Sequence, residues 1–155
     1  MSRRFGKAPH ACISAEFPSP LSAREEISRI FESHLRARYG AARRGLLWRW
    51  NLRLPRILDV QVEGKSVLVI WHINRFKKGE WIITVAPGDT QTLWDHLRGR
   101  KPVDHTRELM LACRDIHALL TSVKGISNIF WYFDGFRNQG SKAMWTPDEL
   151  PWAET

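Results

Sequence analysis

From Trp48 to Leu54 every second residue is apolar: Trp48, Trp50, Leu52 and Leu54 alternate with Arg49, Asn51 and Arg53. A period of two is the pattern of a strand with one buried face. Pro55 ends the run, and the alternation resumes with Leu58, Val60 and Val62 set against Asp59, Gln61 and Glu63. Gly64-Lys65 fits a two-residue type II′ turn. Val67 to Ile73 is apolar on both faces, which suits the interior of a sheet. Lys77-Lys78-Gly79 then turns the chain into a fourth strand, Trp81 to Ala86, closed by Pro87-Gly88. A slip of one residue would move every apolar side chain to the other face. Keeping the apolar sets together pairs Leu54 with Leu58, Arg53 with Asp59, Asn51 with Gln61 and Arg49 with Glu63. Two of these pairs join opposite charges, each worth about 0.2–1 kcal/mol.

Helical periods flank these strands. Ser22 and Glu25 form a capping box, and Ile27, Ile30, Phe31 and Leu35 keep helical spacing up to Gly40, a natural stop. Thr90 to Arg98 fits a short helix ending at Gly99. Asp104 caps a longer one, with Leu109, Ala112, Cys113, Ile116, Leu119, Leu120 and Val123 as its stripe and Gly125 as its end. Ile126 to Phe133 is a last strand, turned by Asp134-Gly135. Pro9, Pro18 and Pro20 make residues 1–20 read as an irregular N-terminal leader. Residues 21–142 read as a single α+β domain and residues 143–155 as an acidic C-terminal tail. The expected fold is an antiparallel meander of about four to five strands, with two main helices packed on its Trp-bearing face.

The other face carries Leu68, Ile70, Ile82 and Ala86. A face open to water should be polar. The strip therefore predicts a cover: a helix, the leader, or a second copy of the chain in a homodimer.

Composition narrows the class. At 155 residues the chain suits one domain with its own core, and its eight Trp are expected mostly inside that core. Cys12 and Cys113 have no CxxC or paired spacing, so the sequence points to a reducing compartment, with the cytoplasm the simplest choice. No apolar run reaches the ~20 residues of a membrane span. Arg3, Arg4 and Lys7 are not followed by the apolar segment of a secretory signal.

Charge is the sharpest feature. The formal net charge is +8, and between Ser33 and Leu58 stand seven arginines and no acid. The hairpin register assigns Arg49 and Arg53 to acids. That leaves Arg36, Arg38, Arg43, Arg44 and Arg56, which Arg98, Arg100 and Lys101 extend if they lie near in space. Guanidinium groups pair with phosphate, so nucleic acid or another polyanion is the first expected partner. A protein–protein interaction module is the second, docking an acidic protein, forming a homodimer or acting as an inhibitor-type partner. An enzyme or small-ligand binder is the third, with His72 and Asp59 as an acid–base pair beside Arg53 and Thr84, His72 lying diagonal to Asp59. Against that third reading stands a plain charge lattice on a sheet surface.

No cofactor or metal is expected. Gly64-Lys65-Ser66 matches the end of a P-loop, but Asp59 occupies the place of its first Gly. His72, His96, His105 and His117 lack ligand spacing. The order helix, strands, helix with basic charge is similar to that of double-stranded-RNA-binding domains, which start their second helix with lysines. Here Lys101-Pro102-Val103-Asp104-His105 stands in that place. Gly79-Glu80-Trp81-Ile82-Ile83-Thr84 with Leu93-Trp94 is similar to a stretch of cap-binding translation factors, over fewer than twenty residues. Neither family is assigned.

Overall fold

The computed structural model describes residues 10–18, 24–44, 56–74, 79–88, 97–99, 106–134 and 142–145. In chain order these hold β1 (His10–Glu16), α1 (Arg24–Tyr39), β2 (Ala42–Arg44), β3 (Arg56–Val62), β4 (Lys65–Ile73) and β5 (Glu80–Pro87), then α2 (Thr106–Ser122), β6 (Ser127–Asp134) and β7 (Lys142–Trp145). The strands form one antiparallel sheet in the order β2-β3-β4-β5-β1-β6-β7. The fold is α+β with an antiparallel meander. β3 to β5 are three of the expected meander strands and β6 is the expected last strand, while the expected strand Trp48–Leu54 lies outside the described residues. β1, β2 and β7 are additions that the pattern did not predict.

Alternation decides which face is buried. Leu58, Val60, Val62, Val67, Val69, Trp71, Trp81, Ile83 and Val85 all point into one core. The ladder sets Leu58 opposite Val69 and Trp71 opposite Ile83. Ile27, Phe31 and Leu35 of α1 and Leu109, Ala112, Cys113, Ile116 and Leu120 of α2 close over the same face. Phe31 stacks on Trp71 with ring centroids 5.1 Å apart. Trp71, Trp81 and Trp131 are fully buried, so the tryptophans described in full are core residues.

The stretch read as an irregular leader contains β1, an interior strand. Ala11, Ile13 and Ala15 are buried, and β1 pairs with β5 on one side and β6 on the other. Prolines flank this segment but do not interrupt it. The start of the stretch read as a tail is likewise a strand, β7, paired to β6. Because β1 is antiparallel to both neighbours, β5 and β6 run in the same direction and need a crossover, which α2 supplies.

Local chemistry sets the ends of the elements. Gly40 adopts φ +81° and its N–H donates to the Arg36 carbonyl at 2.8 Å, a left-handed helix stop. The β3–β4 turn is centred on Glu63-Gly64, one residue earlier than Gly64-Lys65. Both residues have positive φ, 49° and 81°, the mark of a type I′ turn. The hairpin is pinned to the first turn of α2 by Arg107, which donates to Glu63 at 2.8 and 3.1 Å, and by Lys65–Glu108 at 3.0 Å. At Gly88 a Cβ would fall 1.9 Å from Ser66 Oγ, so only glycine allows the close pass of β5 over β4.

The register expected for Trp48–Leu54 lies outside the described residues. Its partners are nonetheless placed. Asp59 has Arg43 of β2 on one side and Leu68 on the other, and Glu63 binds Arg107. The β3 edge beside Asp59 is taken by the short strand after α1.

One buried polar pair makes stability depend on pH. The indole N–H of buried Trp131 donates to His117 Nδ1 at 3.1 Å. Trp is a donor only, so Nδ1 must be unprotonated. Burial lowers the His117 pKa from its ordinary 6.5. The imidazole is neutral in both states above about pH 6.5, and below that the unfolded chain takes the proton first. The contribution of His117 is therefore complete above that pH and declines as pH falls through it. Urea melts at pH 7.5 and 5.5 should show a smaller loss on acidification for His117→Asn, whose carboxamide oxygen replaces Nδ1 without titrating. Equal losses in the two proteins would contradict this.

Candidate functional site

The arginines do not form the unpaired cluster that their spacing suggests. Arg56 lies on the core face of β3, with its side chain 5% exposed and Nη2 donating to Glu25 on α1 at 2.5 Å. It is a structural cation. Arg38 leaves the end of α1 toward α2, where Nε donates to Asp115 at 3.2 Å. The Tyr39 hydroxyl donates to the same carboxylate, and burial and Asp115 together push its pKa up. Tyr39, the aromatic nearest the cluster, is thus committed to joining the two helices. Arg43 sits on the opposite sheet face, beside Asp59. It is exposed and has no acid partner among the described residues. Arg98 is exposed next to exposed Leu97. Arg100 and Lys101 lie outside the described residues.

Arg36 and Arg44 are the two that the fold brings together. They meet at Glu32, which stands one residue before the acid-free stretch. Arg36 Nη2 lies 2.8 Å from Glu32 Oε1 as an i,i+4 pair. Arg44 reaches the same carboxylate from β2, with Nη2 at 2.8 Å and Nε at 3.1 Å from Oε2. Arg29, Glu32, Ser33, Arg36 and Arg44 line a shallow, open groove between α1 and the sheet edge. Residues 29, 32, 33 and 36 share one helix face by their spacing. Arg29 is tied to Glu26 at 3.3 Å, both largely exposed, which is a weak pair.

The acid–base pair expected on the sheet does not assemble. Asp59 is opposite Leu68, so His72 stands four residues further along β4, about 13 Å away at strand rise. The Asp59 carboxylate instead accepts from Ser66 Oγ at 2.6 Å. Thr84 faces Cys12, with Sγ and Oγ1 3.4 Å apart. Burial raises the Cys113 thiol well above its usual pKa, which removes it as a nucleophile. Among the described residues no group of three metal-ligating side chains forms.

The apolar strip is assembled. Ile57, Ile70, Thr84 and Cys12 form one row across four strands, and His72, Ile82, Ser14 and Phe130 form the next. Leu68 lies opposite Ala86 beyond them. Leu68, Ile70, Ile82 and Ala86 are each half-buried, and Phe130 is 40% exposed. Both described helices pack on the other face. At the far end Glu16 and Glu80 are directly opposite, and the Asn128 and Asn74 carboxamides donate to them at 2.8 and 3.2 Å. No helix among the described residues is long and apolar enough to cross a membrane.

Arg56 and Arg43 are one residue type in two roles, and substitution should separate them. Arg56→Ala should cost about 1.5–3 kcal/mol, the range for a hydrogen bond to a charged group. Arg43→Ala should stay within about 0.5 kcal/mol. Equal urea midpoints for the two variants would show Arg56 to be an ordinary surface cation. Comparison of the chain with family models, with curated proteins and with solved structures finds no match.

Proposed function

We propose that the chain is a non-enzymatic binding module that takes the phosphate backbone of nucleic acid on the arginine groove between α1 and β2. One observation carries this reading: Arg36 from the helix and Arg44 from the edge strand converge on a groove that Arg29 and Ser33 also line. Arginine presents planar, forked donors that match phosphate oxygens. A shallow open groove suits a polymer backbone better than a small molecule, which needs enclosure. Arg43 extends the positive surface around the sheet edge. The unpaired thiols of Cys12 and Cys113 fit a reducing compartment such as the cytoplasm.

Fluorescence anisotropy with a short mixed-sequence DNA duplex at about 50 and 200 mM salt tests this reading. Wild type should bind at the lower salt and weaken steeply at the higher. Arg36→Ala/Arg44→Ala should bind more weakly and flatten the salt slope by roughly 1.8, two phosphate contacts. Absence of binding by wild type near 50 mM salt would end the nucleic-acid reading and leave an acidic protein as the partner for these arginines.

A second reading is favoured by the rows Ile57–Ile70–Thr84–Cys12 and His72–Ile82–Ser14–Phe130. A half-buried apolar sheet face suits association, and a second copy of the chain packing face to face would cover it. Sedimentation equilibrium should then show a wild-type dimer and a soluble Ile70→Glu monomer, since the new charge is desolvated only in the dimer. A monomeric wild type at high concentration rules the homodimer out.

A further inference from the structure

We propose that Arg38 is a phosphate contact of this module, and that Asp115 positions it by holding Nε while the outer edge of the guanidinium stays open. The proposal rests on the nucleic-acid reading above and adds to it a contact outside the groove. A surface arginine serves an anion best under two conditions. Its side chain should already be ordered, since a free one loses rotamer entropy on binding. Its outward fork of donors should be unoccupied.

Arg38 meets both. Its Nε donates to Asp115 Oδ2 at 3.2 Å. The Tyr39 hydroxyl donates to the same oxygen, and burial and Asp115 push its pKa up, so the hydroxyl keeps its proton. Asp115 stands on the regular helix α2 and its side chain is 15% exposed, whereas that of Arg38 is 56% exposed. The pair therefore turns its cation outward and covers its acid. Of the five guanidinium donors only Nε–H is engaged, and Nη1 and Nη2 have no acceptor among the described residues.

Other arginines fail one condition. Arg56 and Glu25 are the reverse pair, with the arginine 5% and the acid 64% exposed. Arg107 is exposed, but Nε and Nη2 both bind Glu63, at 2.8 and 3.1 Å. Arg36 is on the same last turn of α1 as Arg38. At 3.6 residues per turn the two lie about 200° apart around the axis. They therefore serve separate phosphates.

Arg38→Ala tests the contact in anisotropy titrations with the same mixed-sequence duplex, after thermal melts confirm the fold. The expected result is about tenfold lower affinity and a salt slope shallower by roughly 0.9, one phosphate contact. Arg107→Ala removes the same charge from an arginine whose Nε–Nη2 fork is closed, and should cost less. Equal losses in the two variants would reduce Arg38 to general charge and overturn the proposal. The nucleic-acid reading would then still stand if Arg36→Ala/Arg44→Ala weakens binding. Failure of wild type itself to bind overturns both.

At Asp115 charge and position make opposite predictions. Removing an acid strengthens binding if only net charge matters, and weakens it if Asp115 holds Arg38. Asp115→Ala should bind more weakly than wild type, and should add no loss to Arg38→Ala. Tighter binding, or the same loss in both backgrounds, counts against the positioning role. Arg38→Lys leaves Asp115 and its bond to Tyr39 in place. It keeps the charge but has neither the anchored Nε nor the fork, so it should retain the salt slope and bind more weakly. Wild-type affinity in Arg38→Lys contradicts the open-fork contact.

Discussion

β1 enters the sheet between β5 and β6, and that insertion places the other strands. Its ladder runs from Ala11 opposite Val85 to Glu16 opposite Glu80 on one side, and from His10 opposite Asp134 on the other. Without it, β2 to β5 and the β6–β7 pair would be separate sheets. The inward side chains of β1 are Ala11, Ile13 and Ala15, all fully buried. Over them α2 carries the chain past β1 from β5 to β6. From β1 the chain must also reach the far edge of the sheet, and α1 spans that distance above β3 to meet β2. The groove is a product of this route. Glu32 comes to lie over Arg44 because the helix leaving a central strand has to deliver an edge strand.

The sheet from β3 to β5 was legible because its alternation is strict and its core face is apolar from Leu58 onward. Leu58 to Val62 and Trp81 to Val85 alternate without a break, and Val67 to Trp71 reads as interior because its outer residues, Leu68 and Ile70, are apolar too. Both main helices were legible from their stripes, and Gly40 marked the end of the first. β1 was hidden for a physical reason. Its buried residues include two alanines, which weigh little in a hydrophobic pattern, and the prolines that flank it read as breakers. Alternation of Ala11, Ile13 and Ala15 with Cys12, Ser14 and Glu16 was the available signal.

The site was less legible than the fold. A run without acids looks like free positive charge, but pairing in a folded chain is set by space. Glu25 and Asp115 take Arg56 and Arg38 from 31 and 77 residues away. Glu32 lies just before the run, and its i,i+4 relation to Arg36 was visible. Its second partner was not, because the position of β2 beside α1 depends on the whole sheet. The Asp59–His72 pairing failed on register. The type I′ turn at Glu63-Gly64 sets Asp59 against Leu68 and carries His72 two rows further along.

β2 is three residues long, and two of them are arginines. A sheet edge offers unpaired backbone donors and acceptors to any passing strand, and long apolar edges are where folded chains begin to aggregate. Among the described residues β2 borders the sheet on that side, and a three-residue strand with two exposed arginines is a poor template for pairing with another copy, because it is short and carries the same charge on every molecule.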